Sequence, residues 1–209
     1  MRTRTARIGD AAAVHHVIAH YAGEGLLLPR TEAEIREHIA RFLVLVEKRG
    51  KQENILGCVA LEPYGADLAE IRSLAVAPAA RGQGRNVGDR LMKAAMETAR
   101  RRKIARLFAV THRAEFFSRY GFQSGPRQIV PEKVERDCRT CPKERSCDLV
   151  ATVAVVCPEL DVFPVLNEAG KAHSTAAHQF PATTGESFRV EKKSASRKTR
   201  ASAIRNSDG

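Results

Sequence analysis

The stretch AVAPAARGQGRNVGDRL, residues 75–91, limits most strongly what this chain can fold into. An apolar run ends at Pro78, Gly82 and Gly84 follow, and apolar residues then recur at helical spacing from Val87. Glycine has no β-carbon, so the backbone can adopt positive φ and approach a ligand closely, and a helix start leaves its first amides unbonded. The stretch therefore predicts a strand, a turn and a helix whose amino terminus can receive a phosphate.

Arginines surround this glycine turn and would strengthen the positive field there. Arg81 and Arg85 flank the Gly-Gln-Gly sequence, and Arg90 lies in the predicted helix. The turn alone is not diagnostic, because it is neither a full dinucleotide-binding fingerprint nor a Walker loop, which would continue with Gly-Lys-Ser/Thr. A strand-to-helix turn with solvated arginines is the alternative at this point.

Composition narrows the class of protein further. The chain has 209 residues, 43% of them hydrophobic, which is enough for one folded domain with a tail. Its formal net charge of +11 favours anionic partners such as nucleic acid, a membrane surface or a phosphorylated small molecule. No apolar run approaches the roughly 20 residues that cross a bilayer, so we expect a soluble, cytoplasmic protein with no membrane partner. Its five cysteines, without a signal peptide, indicate reduced thiols.

Helical and strand-like patterns alternate on both sides of the turn. Thr31, three residues before Glu34, predicts a helix start with a capping box, and the runs FLVLVEK and ENILGCVALEP predict two antiparallel strands. We expect one domain over residues 1–160. Residues 161–209 form a basic, low-complexity tail with too little apolar surface to offset the entropy of ordering, so we expect it to be disordered.

The order of these elements resembles a known family. The segment from Ile71 to Phe122 is similar to the acetyl-CoA-binding core of the GCN5-related N-acetyltransferases (GNATs), whose loop has the pattern Q/R-x-x-G-x-G/A between a strand and a long helix. Arg81 and Gly84 match this pattern, whereas Asn86 replaces its last small residue. Blocks covering about residues 3–150 look like the short amino-acid N-acetyltransferases of arginine biosynthesis, the N-acetylglutamate synthase type: GEGLLLPRTEAEI, ILGCVALEPY, AEIRSLAV, LFAVT, FFSRYGF and VPEK…DCRTCP…CD.

The resemblance implies an α/β (α+β) fold with a splayed, mixed, mainly antiparallel sheet flanked by helices. The sheet would open between strands at residues 68–76 and 106–111, and acetyl-CoA would lie in that opening as co-substrate. Its pantetheine would pair with one backbone segment and its pyrophosphate would meet the glycine turn. The implied cofactor-binding residues are Leu74, Ala75, Val76, Arg81, Gly82, Gln83, Gly84, Arg85 and Asn86.

The resemblance also implies catalytic side chains. An ammonium group has no lone pair for attack, so a base must take its proton, and Glu70 falls where the arginine-pathway enzymes carry a glutamate. Phe117 occupies the position at which many GNATs carry the Tyr that protonates the leaving thiolate. Thr111 and Tyr120 are the substitutes for this acid. An ion pair for Glu70 and structural roles for the two hydroxyls are the alternatives.

A glutamate acceptor carries two carboxylates and calls for cationic partners. Arg30 and Arg72 match basic or polar positions near the acceptor pocket of the family, and Ser73 and Lys133 are further candidates. The implied reaction makes N-acetyl-L-glutamate, the first step of arginine biosynthesis. Glutamine, a polyamine or a protein amine is the alternative acceptor. A nucleic-acid-binding protein acting through its basic tail is the alternative class, and a homodimer is compatible with the resemblance.

The cysteines near the end of the predicted domain raise the question of zinc. Cys138, Cys141 and Cys147 have the spacing C-x2-C-x5-C, and Cys157 follows ten residues later. Structural zinc takes four ligands and favours thiolate pairs two residues apart, but no second pair of that kind follows here. We therefore expect ordinary thiols and no catalytic metal, with zinc at these four residues as the alternative.

Overall fold

The computed structural model describes residues 1–50, 52–142, 144–160, 164–166 and 172–174. The strands are β1 (Arg2–Thr5), β2 (Phe42–Arg49), β3 (Gln52–Pro63), β4 (Leu68–Val76), β5 (Arg106–Thr111), β6 (Gln123–Gly125), β7 (Val150–Val155), β8 (Pro164–Leu166) and β9 (Ala172–Ser174). The helices are α1 (Ala11–Gly23), α2 (Glu32–Glu37), α3 (Val87–Arg101), α4 (Ala114–Ser118) and α5 (Pro131–Lys133), which continues as a π-helical turn, Val134–Cys138. Within these described residues, no helix is both long and apolar enough to span a bilayer.

Seven strands form one sheet in the order β1-β2-β3-β4-β5-β7-β6. Neighbouring strands of this sheet are antiparallel except for β4 and β5, which are connected through α3 and run parallel. Strands β8 and β9 pair separately as a two-stranded antiparallel sheet. Apart from these two strands, the tail predicted at residues 161–209 lies outside the described residues.

The sheet is open at its centre. β4 pairs with β5 only through Leu68–Glu70 and Arg106–Phe108, although β4 continues to Val76. Past Glu70 the strands part, and β5 stays paired with β7 along its whole length up to Thr111. The sheet therefore has a wedge-shaped opening between the later residues of β4 and the end of β5, as the family resemblance implies.

Two apolar cores cover the two faces of the sheet. Alternate side chains of a strand point to opposite faces, so Val59 and Leu61 of β3 pack with α3, whereas Cys58 and Ala60 pack with α1. The apolar side of α3 is buried through Val87, Leu91, Met92, Ala95 and Ala99. Helix α3 is thus fixed against β3 and β4, with its amino terminus at the mouth of the wedge.

Gly57 of β3 lies where α3 crosses the sheet most closely. A β-carbon at this position would stand 2.5 Å from the backbone oxygen of Ala75, 3.0 Å from Leu91 Cδ1 and 3.1 Å from Val87 Cγ1. Because one of these atoms belongs to the backbone of β4, the clash could not be relieved by a rotamer change. Only glycine allows the helix and both strands to approach this closely.

The helix start predicted at Thr31 is confirmed, and it fixes the position of Arg30, the residue before it. The Thr31 hydroxyl accepts a hydrogen bond from the Glu34 amide at 3.2 Å, and the Glu34 carboxylate accepts one from the Thr31 amide at 2.6 Å. This capping box fixes the start of α2. The backbone direction of the preceding residue, Arg30, is fixed with it.

Candidate active site

The glycine turn has the backbone that the sequence predicts. Gly82 and Gly84 adopt φ values of +69° and +64°, and a β-carbon at either position would meet nothing within 4 Å. Side chains strain the backbone at such angles, so glycine serves here for its conformation and leaves open space above the turn. The turn borders an open depression of about 340 Å³. The depression is lined by Val76, Ala80, Arg81, Gly82, Gln83, Gly84, Arg85, Asn86 and Val87.

Asn86 does not cap helix α3 with its side chain, although asparagine commonly does so at a helix start. It precedes α3 with φ 49° and ψ 41°, in the left-handed region, and its side chain makes no capping hydrogen bond. Asn tolerates this region better than most non-glycine residues. Asn86 therefore replaces the small residue of the family pattern because the backbone turns there.

The start of α3 offers free backbone donors to an anion. The first bond into the helix runs from the Arg90 amide to the Asn86 carbonyl at 3.0 Å. The amides of Val87, Gly88 and Asp89 consequently have no intrahelical acceptor, and they carry the positive end of the helix dipole. The open glycine turn and these amides fit a diphosphate.

The two arginines of the turn are not equivalent. Arg81 is exposed and its guanidinium lies 5.7 Å from the centre of the Tyr21 ring. Arg85 instead pairs with Glu47 of β2, with Nη1 3.2 Å from Oε1. The Arg85 side chain therefore adds less positive field at the turn than the sequence suggests, although its backbone remains part of the depression.

β4 presents a free backbone edge to the wedge. A bulge at Ser73, with φ 49°, faces Val59 of β3 and changes the register between the two strands. The Ala77 amide donates to β3 at 2.8 Å, so the preceding carbonyl, that of Val76, points the opposite way, into the opening. That carbonyl accepts a hydrogen bond from the Tyr21 hydroxyl at 2.6 Å and keeps a second lone pair for a ligand.

A buried group of charged side chains lies at the narrow end of the wedge. Glu70 and Lys133 are 4% and 7% exposed, and Lys133 Nζ donates to Glu70 Oε2 at 2.9 Å. The Tyr64 hydroxyl lies 2.9 Å from the same oxygen, and Arg72 Nε lies 3.3 Å from it. Asp137 Oδ2 is 2.7 Å from both Lys133 Nζ and the Tyr64 hydroxyl. We call these five residues the Glu70 cluster.

Ionisation in the Glu70 cluster follows from its contacts. Burial, and then the charge of Glu70, raise the pKa of Tyr64 far above its usual range, so its hydroxyl keeps its proton. Burial acts to raise the pKa of Asp137, but hydrogen bonds from Lys133 and Tyr64 outweigh it and hold that pKa well below its usual range. Arg136 stacks on the Tyr64 ring at 3.4 Å and donates to Asp137 Oδ1 at 3.0 Å.

Arg30 and Arg72, the two arginines predicted to bind the acceptor, lie close enough for their charges to interact. Burial, followed by the charge of Arg72, lowers the pKa of Arg30. Among the described residues, no carboxylate lies within ion-pair distance of the half-buried Arg30 guanidinium, whereas Arg72 contacts Glu70. Two neighbouring guanidinium groups, one of them without an ion pair among the described residues, favour binding of an anion.

The two candidate acids have different surroundings. The Thr111 hydroxyl accepts a hydrogen bond from the Arg113 amide at 2.9 Å, which leaves its own proton to donate. The Tyr120 hydroxyl already donates to Asp89 of α3, and burial together with this bond raises the pKa of Tyr120 well above its usual range. Phe117 is buried against Phe122. The geometry favours Thr111 over Tyr120 as the donor.

The cysteines do not come together as a group among the described residues. All five are free thiols, and in the described part of the chain no three Cys, His, Asp or Glu side chains converge to hold a metal ion. Cys138 and Cys157 are buried, while Cys141 and Cys147 are partly exposed. Burial raises the pKa of the Cys58 thiol to about 12, which makes it inert.

Sequence reasoning missed two members of the site, Tyr64 and Asp137. The pair Lys133 and Asp137, oppositely charged at i and i+4, could have indicated a contact. Tyr64 lies in the β3–β4 turn, far from both in sequence, and no local pattern marks it.

Comparison with known proteins places the chain in a family. Residues 38–124 match the acetyltransferase (GNAT) domain, and the chain belongs to the GNAT acetyltransferase family. It is 37% identical over 150 residues to an uncharacterized N-acetyltransferase of Chlorobaculum tepidum, covering 72% of this chain and 93% of that protein. The fold class inferred from the sequence is thereby confirmed.

Amino-acid acetyltransferases are among the more similar relatives. The identity is 34% over 138 residues to that of Mycobacterium tuberculosis, covering 66% of this chain and 77% of the relative. It is 36% over 139 residues to that of Neisseria meningitidis, of which this chain spans only 30%.

Comparison with solved structures supports membership of the same family. The fold is similar to a Mycobacterium tuberculosis protein in complex with CoA, with a TM-score of 0.62 and 26% identity over 74% of this chain and 99% of that one. The TM-score is 0.64, with 32% identity, to N-acetylglutamate synthase from Neisseria gonorrhoeae complexed with coenzyme A and N-acetyl-glutamate. That match covers 74% of this chain and 35% of the other.

Proposed function

We propose that this chain transfers the acetyl group of acetyl-CoA to the α-amine of L-glutamate, giving N-acetyl-L-glutamate. The observation that carries the proposal is the half-buried Arg30, which has no ion pair among the described residues, beside Arg72 and the buried carboxylate of Glu70, at the edge of the wedge. The similarity to an N-acetylglutamate synthase structure supports this acceptor, and the amino-acid acetyltransferases among the relatives support an amino acid as acceptor.

The wedge suits acetyl-CoA, which supplies an activated thioester carbon when bound. Backbone amides of the glycine turn and of the start of α3 hold its pyrophosphate. The free edge of β4 at Leu74, Ala75 and Val76 pairs with the pantetheine arm as an added strand would. Amides on this edge polarise the thioester oxygen, a role that needs no particular side chain.

Glu70 takes one proton from the acceptor ammonium and releases it to water, which gives the nitrogen the lone pair it needs. The new C–N bond forms as the C–S bond breaks, and the nitrogen loses a second proton to solvent water. Thr111 donates a proton to the departing sulfur and is then reprotonated from solvent. The net products are the amide, free CoA thiol and one proton, so the atoms and charges balance.

Arg30 and Arg72 select the acceptor. A dicarboxylate brings two negative charges to two guanidinium groups, which suit carboxylates because they donate two parallel hydrogen bonds. A polyamine would meet repulsion from the same two cations. Ser73, next to Arg72 at the bulge, is half-buried beside this position and is a further polar contact for the acceptor.

An acceptor screen tests the proposal. The purified full chain is incubated with acetyl-CoA and, separately, each of the twenty amino acids, spermidine and a short peptide, and release of CoA thiol is followed. We expect the highest kcat/KM with L-glutamate. Preference for L-glutamine or spermidine would refute the glutamate assignment and leave acetyl transfer intact, whereas no thiol release with any acceptor would refute the activity itself.

Arg30→Met separates acceptor binding from co-substrate binding. Loss of a charge-assisted contact of about 1.5–3 kcal/mol should raise the KM for L-glutamate about tenfold or more. The KM for acetyl-CoA should stay within about twofold of the wild-type value, because Arg30 is not among the residues that border the depression at the glycine turn. Arg36→Met, on the exposed side of α2, is the matched control. Equal changes in both KM values would contradict the acceptor role.

A further inference from the structure

Among the described residues, every hydrogen bond to the carboxylate of Glu70 goes to one of its two oxygens. Lys133 Nζ and the Tyr64 hydroxyl each lie 2.9 Å from Oε2, and Arg72 Nε approaches the same atom at 3.3 Å. In the part of the chain that the structure describes, Oε1 accepts none. Two donors on one oxygen fix the rotation of the carboxylate and direct the other oxygen away from them.

Lys133 is held in place by charge. Its ammonium is buried, and burial of an unpaired ammonium is strongly unfavourable. It donates to Glu70 at 2.9 Å and to Asp137 at 2.7 Å, so it forms a bridge between two carboxylates. The pairing with Asp137 joins Lys133 to the π-helical turn that follows it, a rare geometry often found at functional sites.

Tyr64 is held just as firmly. Its hydroxyl has one proton and lies within hydrogen-bond distance of Glu70 Oε2 and Asp137 Oδ2. Arg136 covers the ring at 3.4 Å and donates to the Pro63 carbonyl at 2.9 Å, which ties the β3–β4 turn to the π-helical turn. On its other side the ring meets Phe108 edge to face, with the centroids 5.0 Å apart. The hydroxyl therefore has little freedom to leave Glu70.

We propose that Lys133 and Tyr64 are positioning residues for Glu70, and that Asp137 orients both of them. Together they hold Oε2 and leave Oε1 to accept the proton of the acceptor ammonium. This inference rests on the proposed function of Glu70 as the base. It explains why a lysine is buried at this point and why a tyrosine in a surface turn reaches inward.

The test compares Tyr64→Phe and Lys133→Met with the wild type, using the acceptor that gives the highest rate in the screen. Misplacement of a base should lower kcat about 10- to 100-fold, with both KM values within about threefold of the wild type. Lys93→Met, on the exposed side of α3, is the matched control and should retain full activity. Unfolding midpoints are measured for all variants, and Tyr64→Phe, which conserves the ring, covers the case in which Lys133→Met fails to fold.

A double-mutant cycle with Glu70→Gln distinguishes positioning from a structural role. If Lys133 and Tyr64 act through Glu70, their substitutions should cost no more than about twofold further activity once the base is gone. An equal loss in both backgrounds would overturn the assignment, as would an unchanged kcat in the single variants. If Glu70→Gln itself leaves kcat unchanged, the proposed base fails and this inference fails with it, which is a separate result.

Discussion

Glu70→Gln should lower kcat by about 10²–10⁴-fold while leaving the affinity for acetyl-CoA unchanged, because general base catalysis contributes a factor of this size. Glutamine has the same shape and still accepts hydrogen bonds from Lys133 and Tyr64, so the fold should be retained. Steady-state rates with L-glutamate and calorimetric titration with acetyl-CoA measure the two effects separately.

Glu97→Gln provides the control for the loss of a carboxylate. Glu97 is exposed on α3, where it pairs with Arg101 one turn away, and this kind of surface pair contributes less than about 1 kcal/mol. Its substitution should change neither rate nor affinity. A Glu70→Gln variant with a wild-type rate would show that another group or water deprotonates the acceptor.

Gly57→Ala should be strongly destabilising, because among the described glycines Gly57 has the least room for a β-carbon. The new β-carbon would lie 2.5 Å from the backbone oxygen of Ala75, so β3 and β4 must separate. We expect a loss of about 2–3 kcal/mol in the free energy of unfolding, or roughly 5–10 °C in Tm. Because Ala75 belongs to the free edge of β4, weaker acetyl-CoA binding should accompany the loss.

Gly88→Ala is the matched control in the first turn of α3. A β-carbon at Gly88 would meet only the Phe116 ring at 3.6 Å and Val76 Cγ2 at 3.9 Å, which are ordinary contacts. Alanine favours a helix over glycine by up to about 1 kcal/mol, so Tm without ligand should be equal or higher. Equal destabilisation at both positions would contradict the role assigned to Gly57.

Features set by neighbouring residues could be predicted from the sequence. The capping box at Thr31 and Glu34, the positive φ of Gly82 and Gly84 and the buried face of α3 all depend on residues within about two helical turns. The order of these elements, through the family resemblance, also indicated the opening beside β4. Both arguments rest on patterns that are continuous along the chain.

Features set by distant partners could not be predicted. Tyr64 and Asp137 are brought together only when the π-helical turn packs on the β3–β4 turn. The pairing of Arg85 with Glu47 likewise depends on how β2 passes the glycine turn. The conformation of Asn86 could not be predicted from its residue type, because asparagine is suited both to capping a helix start and to left-handed backbone.

The three-residue join between β4 and β5 divides the site into two parts. Glu70 is the last paired residue of β4, opposite Phe108 of β5, and the two strands diverge beyond it. The proposed base therefore lies at the point where the opening begins. Each strand residue adds about 3.3 Å, so Val76 lies roughly 20 Å further along β4. The strands are therefore joined by backbone hydrogen bonds at Glu70 and are unpaired with each other at the Val76 end, which borders the glycine turn. The proposed proton acceptor thus belongs to the paired part of the two strands, and the backbone edge offered to acetyl-CoA belongs to the unpaired part.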